Sequence, residues 1–301
     1  MDSTDVTLIE CPRDALQGLP QFIPTALKIE LLQTLLNAGL RRLDCVSFVS
    51  PRAVPQMADS EAVLAGLGPL PTGTELIGII LNRPGLERAL RTSVTTLGYP
   101  LSVSPSFQWE NARQTPIQAR TMVAETLREL RNTGRHLVVY LSMAFGNPHG
   151  DAYSPREVTH LARELADMGV STLSLADTVG LASPSEIAIL FDGLQQELRD
   201  SGVDIGLHLH SRREAAAAKI TAGYRAGCRR FDTAVAGLGG CPFAGDALVG
   251  NIPTEEALSA LHACGAQVRT ADNPDAPNAM SRLEPALHLA RQLRDNYGVS
   301  G

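Results

Sequence analysis

The chain has 301 residues, 44% of them hydrophobic, and a formal net charge of −6. That length suits one large α/β domain or two ordinary ones, and the acidic balance argues against nucleic acid or an anionic membrane as partner. No apolar run approaches the roughly 20 residues of a membrane span, so no membrane partner is expected.

In chain order, strands are predicted at 6–11, 41–48, 75–81, 93–104, 136–144, 170–177, 204–210 and 229–237. Amphipathic helical segments lie between them, several opening on Ser or Thr with Pro and closing on Gly. In the first, Leu31, Leu32, Leu35 and Leu36 form an apolar stripe at helical spacing, which marks core. Eight strands separated by helices is the count of a (β/α)8 TIM barrel. The rival doubly wound sheet lacks its Gly-rich fingerprint after the first strand. The expectation is one barrel domain over 1–301, with about 253–301 forming a helical extension packed on it. The opening MDSTDVTLIECPRD has no basic and apolar leader, and the five cysteines are scattered without a CxxC pair. Both features fit a reducing cytoplasm.

In such a barrel the C-terminal ends of the strands form the active-site face. The first ends in ECPRDALQ with Arg13 and Asp14, the second carries Asp44, the sixth ends in LADTVG with Asp177, and the seventh in His208 and His210. The eighth runs into AGLGGCPFAGDALVGN, with Cys241 and Asn251. Residues i and i+2 of a strand share a face, so His208 and His210 project side by side. Each residue alone has an ordinary structural explanation: a helix cap for Asp177, a buried thiol for Cys241, a hydrogen-bonded core position for a single histidine. Their joint placement on one rim favours a metal site of Asp14, His208 and His210, with Asn251 as a further candidate. Imidazole with hard oxygen donors and no thiolate suits an open Mg2+ or Mn2+ site.

The segments CPRDALQ, SFVSPRAVPQMAD, LADTVG, HLH and VAGLGGCPFAGDALVGN resemble the 3-hydroxy-3-methylglutaryl-CoA lyase family of metal-dependent TIM-barrel lyases, in order from about Val6 to Glu256. The resemblance implies metal ligation by Asp14, His208, His210 and Asn251. It implies that Arg13 neutralises a developing thioester enolate and that Cys241 protonates the acetyl-CoA carbanion. Asp44 stands where the family has a Glu supporting the arginine, and Asp177 where it has an Asp near the substrate hydroxyl. His208 counts among the catalytic as well as the metal-binding candidates. The implied reaction is retro-aldol cleavage of a 3-hydroxy-3-alkylglutaryl-CoA, an acyl-CoA substrate, to acetyl-CoA and a 3-oxoacid. A homodimer is expected from the same analogy.

The chain also departs from the family pattern. Cys11 and Ala15 replace glycines beside the Arg-Asp pair, Asp44 is one methylene shorter than Glu, Ser211 and Arg212 follow the second histidine where Asp or Asn and Thr are usual, and Trp109 stands where a basic residue is common. These changes point to a retuned substrate. Two rivals stay open at this point: an aldolase or condensing enzyme of the same barrel acting on a 2-oxoacid, and a binding protein that has kept the fold without the chemistry.

Overall fold

The structure, a computed structural model, describes residues 4–239, 249–268 and 279–298. Eight parallel strands close on themselves: β1 (Asp5–Glu10), β2 (Arg42–Ser47), β3 (Glu75–Ile79), β4 (Thr96–Ser102), β5 (His136–Ser142), β6 (Thr172–Asp177), β7 (Asp204–Ser211) and β8 (Arg230–Thr233). Closure is made by β1 against β8, with Thr7 opposite Arg230 and Glu10 opposite Thr233. The expected (β/α)8 barrel is therefore present.

Helices follow the strands and pack outside them. They are α1 (Pro12–Gln17), α2 (Thr25–Asn37), α3 (Ser60–Gly66), α4 (Arg83–Leu90), α5 (Pro105–Ala112), α6 (Pro116–Leu130), α7 (Pro155–Asp167), α8 (Pro184–Glu197) and α9 (Arg213–Arg225). Their starts are set by local chemistry. Ser104, Thr115, Ser154 and Ser183 each cap a helix that begins with Pro, and Thr115 with Gln118 and Ser183 with Glu186 complete capping boxes. Leu31, Leu32, Leu35 and Leu36 of α2 are buried in the main core between helices and barrel. Beyond the barrel lie β9 (Gly250–Asn251), α10 (Thr254–Ala263), β10 (Gln267–Val268) and α11 (Ala279–Tyr297). The C-terminal part is thus not wholly helical, because β10 adds a parallel strand to β1, with Asp5 opposite Gln267.

The barrel interior has two unlike halves. Ile9, Cys11, Ile77, Ile79, Val138 and Tyr140 form one apolar cluster. Room for it is made by Gly98, where a Cβ would come within 2.5 Å of Ile79 Cδ1 and 3.0 Å of Tyr140 Cε2. Against this cluster Ser174, His208, Arg230 and Asp232 are buried, with Cys11 close to His208 and Asp232.

Glu10, fully buried at the end of β1, fastens the exit of β8. Its carboxyl accepts the Val235 N–H at 2.7 Å and the Thr254 hydroxyl at 2.5 Å. Burial pushes this carboxyl up to about 8, with the nearby Glu255 adding to the effect and the two hydrogen bonds opposing it. A folded-state value above the unfolded one gives stability that is complete at low pH and lost as pH rises through about 8. The parent protein should therefore melt lower at about pH 9 than at about pH 6, and Glu10→Gln should flatten that difference in a thermal scan.

Candidate active site

The mouth of the barrel is a cavity of about 410 Å³. Arg13, Asp14, His208 and His210 line its floor, and Val49, Val54, Leu81, Pro100 and Phe107 are among its apolar wall residues. Arg13 and Asp14, expected at the strand end, sit instead in the first turn of the six-residue α1. Pro12 fixes that start, since its missing N–H needs no partner there.

Arg13 is held from two sides. Its Nε donates to Asp44 Oδ1 at 3.1 Å and its Nη2 donates to Asp44 Oδ2, a two-pronged pair, while Nη1 donates to Asp14 Oδ1 at 2.8 Å. Burial disfavours the charged guanidinium, but the two carboxylates outweigh burial and raise its proton affinity, so Arg13 is a fixed cation. Asp44 is wholly buried, and both its oxygens accept from Arg13. A β-bulge between Asp44 and Val46 resets the alternation of β2 and lets Ser47 reach the mouth as well.

Asp14, His208 and His210 each offer a ligand atom, and these atoms lie within 4.8 Å of one another. His210 Nε2 is 3.9 Å from Asp14 Oδ2, and the two Nε2 atoms are 3.1 Å apart. Burial alone would raise the Asp14 carboxyl. Arg13, the two imidazoles and the Asn251 amide together hold it well below the usual carboxylate range. Burial, then the neighbouring His208, lowers His210 to about 4, so its ring is neutral near pH 7. A carboxylate and a neutral imidazole are the states a metal ligand requires. Asp14 and His210 are held in those states. Burial opposes charge on His208, but Asp232 and Asp14 outweigh it and raise this ring, so a cation entering there would displace a proton. With that exchange the donor set fits a divalent cation. Cys11, His208 and Asp232 form a second close group, but burial and three nearby carboxylates push the Cys11 thiol far up, which disfavours the thiolate a metal would need.

Asn251 reaches the site through β9, which pairs antiparallel with β7 and sets Asn251 opposite His210. Its Nδ2 donates to Asp14 Oδ2 at 2.9 Å and to the Leu238 carbonyl at 2.8 Å. Gln17 donates to Asp14 Oδ1 at 2.9 Å. Cys241 lies outside the described residues.

Asp177 is placed differently from the others. Its carboxylate faces Lys219 of α9, whose Nζ donates to it at 2.7 Å and also to the carbonyls of His210 at 2.8 Å and Gly180 at 3.2 Å. The Ala182 N–H donates to it too. Asp177 thus belongs to a buried clamp behind His210 rather than to the floor of the mouth. Lys219 and Asp232 escaped the reading of strand ends, the first because it sits in the alanine-rich helix, the second because it lies one turn of the pleat below the rim. Trp109 is half exposed on α5, beside Glu110 and Asn111 of the cavity wall.

A closed parallel barrel with an Asp-His-His cluster and a fixed arginine at its C-terminal mouth has the architecture of a TIM-barrel enzyme with a candidate metal site. The HMGL-like family model matches residues 4–276, and the chain belongs to that family. It is 34% identical over 254 residues to a hydroxymethylglutaryl-CoA lyase of Pseudomonas mevalonii, covering 84% of this chain and 83% of the relative. It is 32% identical over 272 residues to an (R)-citramalyl-CoA lyase of Chloroflexus aurantiacus, covering 86% of this chain and 84% of that one. The solved HMG-CoA lyase of Acinetobacter baumannii, in complex with coenzyme A and 3-methylmalate, superposes with a TM-score of 0.85 at 31% identity, over 98% of this chain and 92% of that one.

The clamp makes a stability prediction. Lys219→Met should cost about 3–5 kcal/mol, because it strands the buried Asp177 carboxylate. Denaturant unfolding measures this, and adding Asp177→Asn should recover part of the loss.

Proposed function

We propose that the chain is a divalent-metal-dependent carbon–carbon lyase acting on a 3-hydroxy-3-alkylglutaryl-CoA, the methyl compound or a homologue, to give acetyl-CoA and a 3-oxoacid. The observation that supports this most is the fixed Arg13 cation on the same cavity floor as the Asp14–His208–His210 cluster.

Asp14, His208 and His210, with the Asn251 side chain, would hold a Mg2+ or Mn2+ ion, which supplies Lewis acidity and a template for two substrate oxygens. Cleavage breaks the C2–C3 bond as the tertiary hydroxyl gives its proton to solvent at the mouth and becomes a ketone. The electron pair moves onto the thioester as an enolate. Arg13, already oriented by Asp44, meets that charge without reorganisation, and preorganised charge of this kind is a large catalytic contribution. Cys241 returns a proton to the carbon that becomes the methyl of acetyl-CoA. Asp44 positions Arg13, and Asp177, neutralised by Lys219, holds the rim. The apolar wall of Val49, Val54, Leu81 and Phe107 suits an alkyl substituent or the pantetheine arm.

The similarity to a citramalyl-CoA lyase favours a second reading, in which the substrate is a citramalyl thioester and the product a 2-oxoacid. A panel of 3-hydroxy-3-methylglutaryl-CoA, longer 3-alkyl homologues and both citramalyl-CoA epimers, assayed with Mg2+ and with Mn2+, separates the two. Acetyl-CoA with a 3-oxoacid is the expected product pair, and no acetyl-CoA from any thioester would sink the lyase reading. Cys241→Ala should lower turnover about 100-fold or more while leaving Mn2+ binding intact. Unchanged turnover would remove Cys241 from the chemistry.

A further inference from the structure

The two imidazoles of the cluster are supported very unequally. His208 Nδ1 lies 3.1 Å from Asp232 Oδ2, and the ladder between β7 and β8 sets His208 directly opposite Asp232, so the contact is built into the register. His210 Nδ1, by contrast, is buried without a hydrogen-bond partner among the described residues. The residue after it gives no help, since Ser211 donates its hydroxyl to the Arg212 carbonyl at 2.6 Å.

A carboxylate against Nδ1 requires a hydrogen on that nitrogen, which leaves Nε2 as the atom turned to Asp14 and His210. Asp232 is itself prepared for this work. It is 3% exposed, and Arg230, two residues earlier on the same strand, shares the barrel interior with it. Arg230 fits there because residue 206 is glycine: a Cβ would come within 3.0 Å of both Cγ and Cδ of the arginine. The Asp232 carboxylate attracts the Arg230 guanidinium and so helps the arginine keep its charge inside the barrel. Gly206, Arg230, Asp232 and His208 thus form a column on β7 and β8 that ends at the cluster.

We propose that Asp232 is a positioning residue of the metal centre: it orients His208 and fixes its Nε2 as the ligand atom, and imidazole orientation in the cluster rests on this contact because His210 Nδ1 has no counterpart among the described residues. The inference relies on the Asp14–His208–His210 cluster being a divalent-cation site.

The test uses the full chain and Mn2+ alone, with no substrate. Mn2+ dissociation constants are measured for the parent, Asp232→Asn and, as a control for general loss of interior polarity, Ser174→Ala. Asp232→Asn should weaken Mn2+ binding 10–100-fold, while Ser174→Ala leaves it unchanged. Nitrogen-15 spectra of the metal-free parent should show His208 protonated on Nδ1. That measurement needs no variant, so it stands even if Asp232→Asn does not fold. Equal affinity in the parent and Asp232→Asn, an equal loss in Ser174→Ala, or a His208 ring carrying its only proton on Nε2 would each overturn the proposal. A parent that binds no Mn2+ would overturn the metal site along with it. A parent that binds Mn2+ but cleaves no thioester would leave the Asp232 result readable and remove only the lyase reading.

Discussion

The site depends on Arg13 keeping its charge inside the barrel. A buried guanidinium is tolerated only where carboxylates compensate it and its N–H groups are used. Asp44 supplies the two-pronged partner and Asp14 the third contact. The same contact holds the Asp14 carboxylate ionised, with Gln17 and Asn251 donating to it as well. Orientation of the arginine, ionisation of Asp14 and the shape of the floor are therefore one electrostatic arrangement. Truncating Asp44 would disturb all three.

Around this centre the barrel separates two kinds of support. Backbone position comes from the Lys219 clamp, which ties the His210 carbonyl to Asp177 and Gly180. Ring orientation comes from Asp232, and among the described residues this support reaches His208 and not His210 Nδ1. The departures after the second histidine gain a physical content from this division. Ser211 turns its hydroxyl away, His210 Nδ1 has no partner among the described residues, and the support behind this residue comes through its main-chain carbonyl. The polar groups behind the cluster lie on β7 and β8, while Ile9, Ile77, Ile79 and Val138 on β1, β3 and β5 supply apolar packing beside them.

Much of this was readable from the residues. The eight strands fall close to their expected positions because most couple a short β-branched or leucine-rich run to a preceding Gly turn and a following Pro-led helix. Asp14, His208 and His210 could be placed together because strand ends in a parallel barrel share one rim. What could not be read involves contacts across elements. Nothing in the pattern of AAAAKI separates Lys219 from a solvent-facing lysine, so the occupation of Asp177 is invisible until α9 is docked on the rim. Asp232 alternates correctly with Arg230 for an inward face, and that period of two was the available signal. Its role required knowing that His208 lies opposite. The two-residue strand carrying Asn251 is too short to announce itself.

The pairing of β1 with β8 also has a consequence in time. Thr7 and Arg230 are neighbours in space but 223 positions apart in the chain, so contacts of very long sequence separation must form before the barrel closes. Asp14 lies just beyond β1, and His208, His210 and Asp232 lie on β7 and β8. The chemistry of the mouth therefore does not exist in any partly folded chain that lacks this last seam. An ion bridging the two sides would act on the seam as a clasp, favouring the closed form by mass action and slowing its opening.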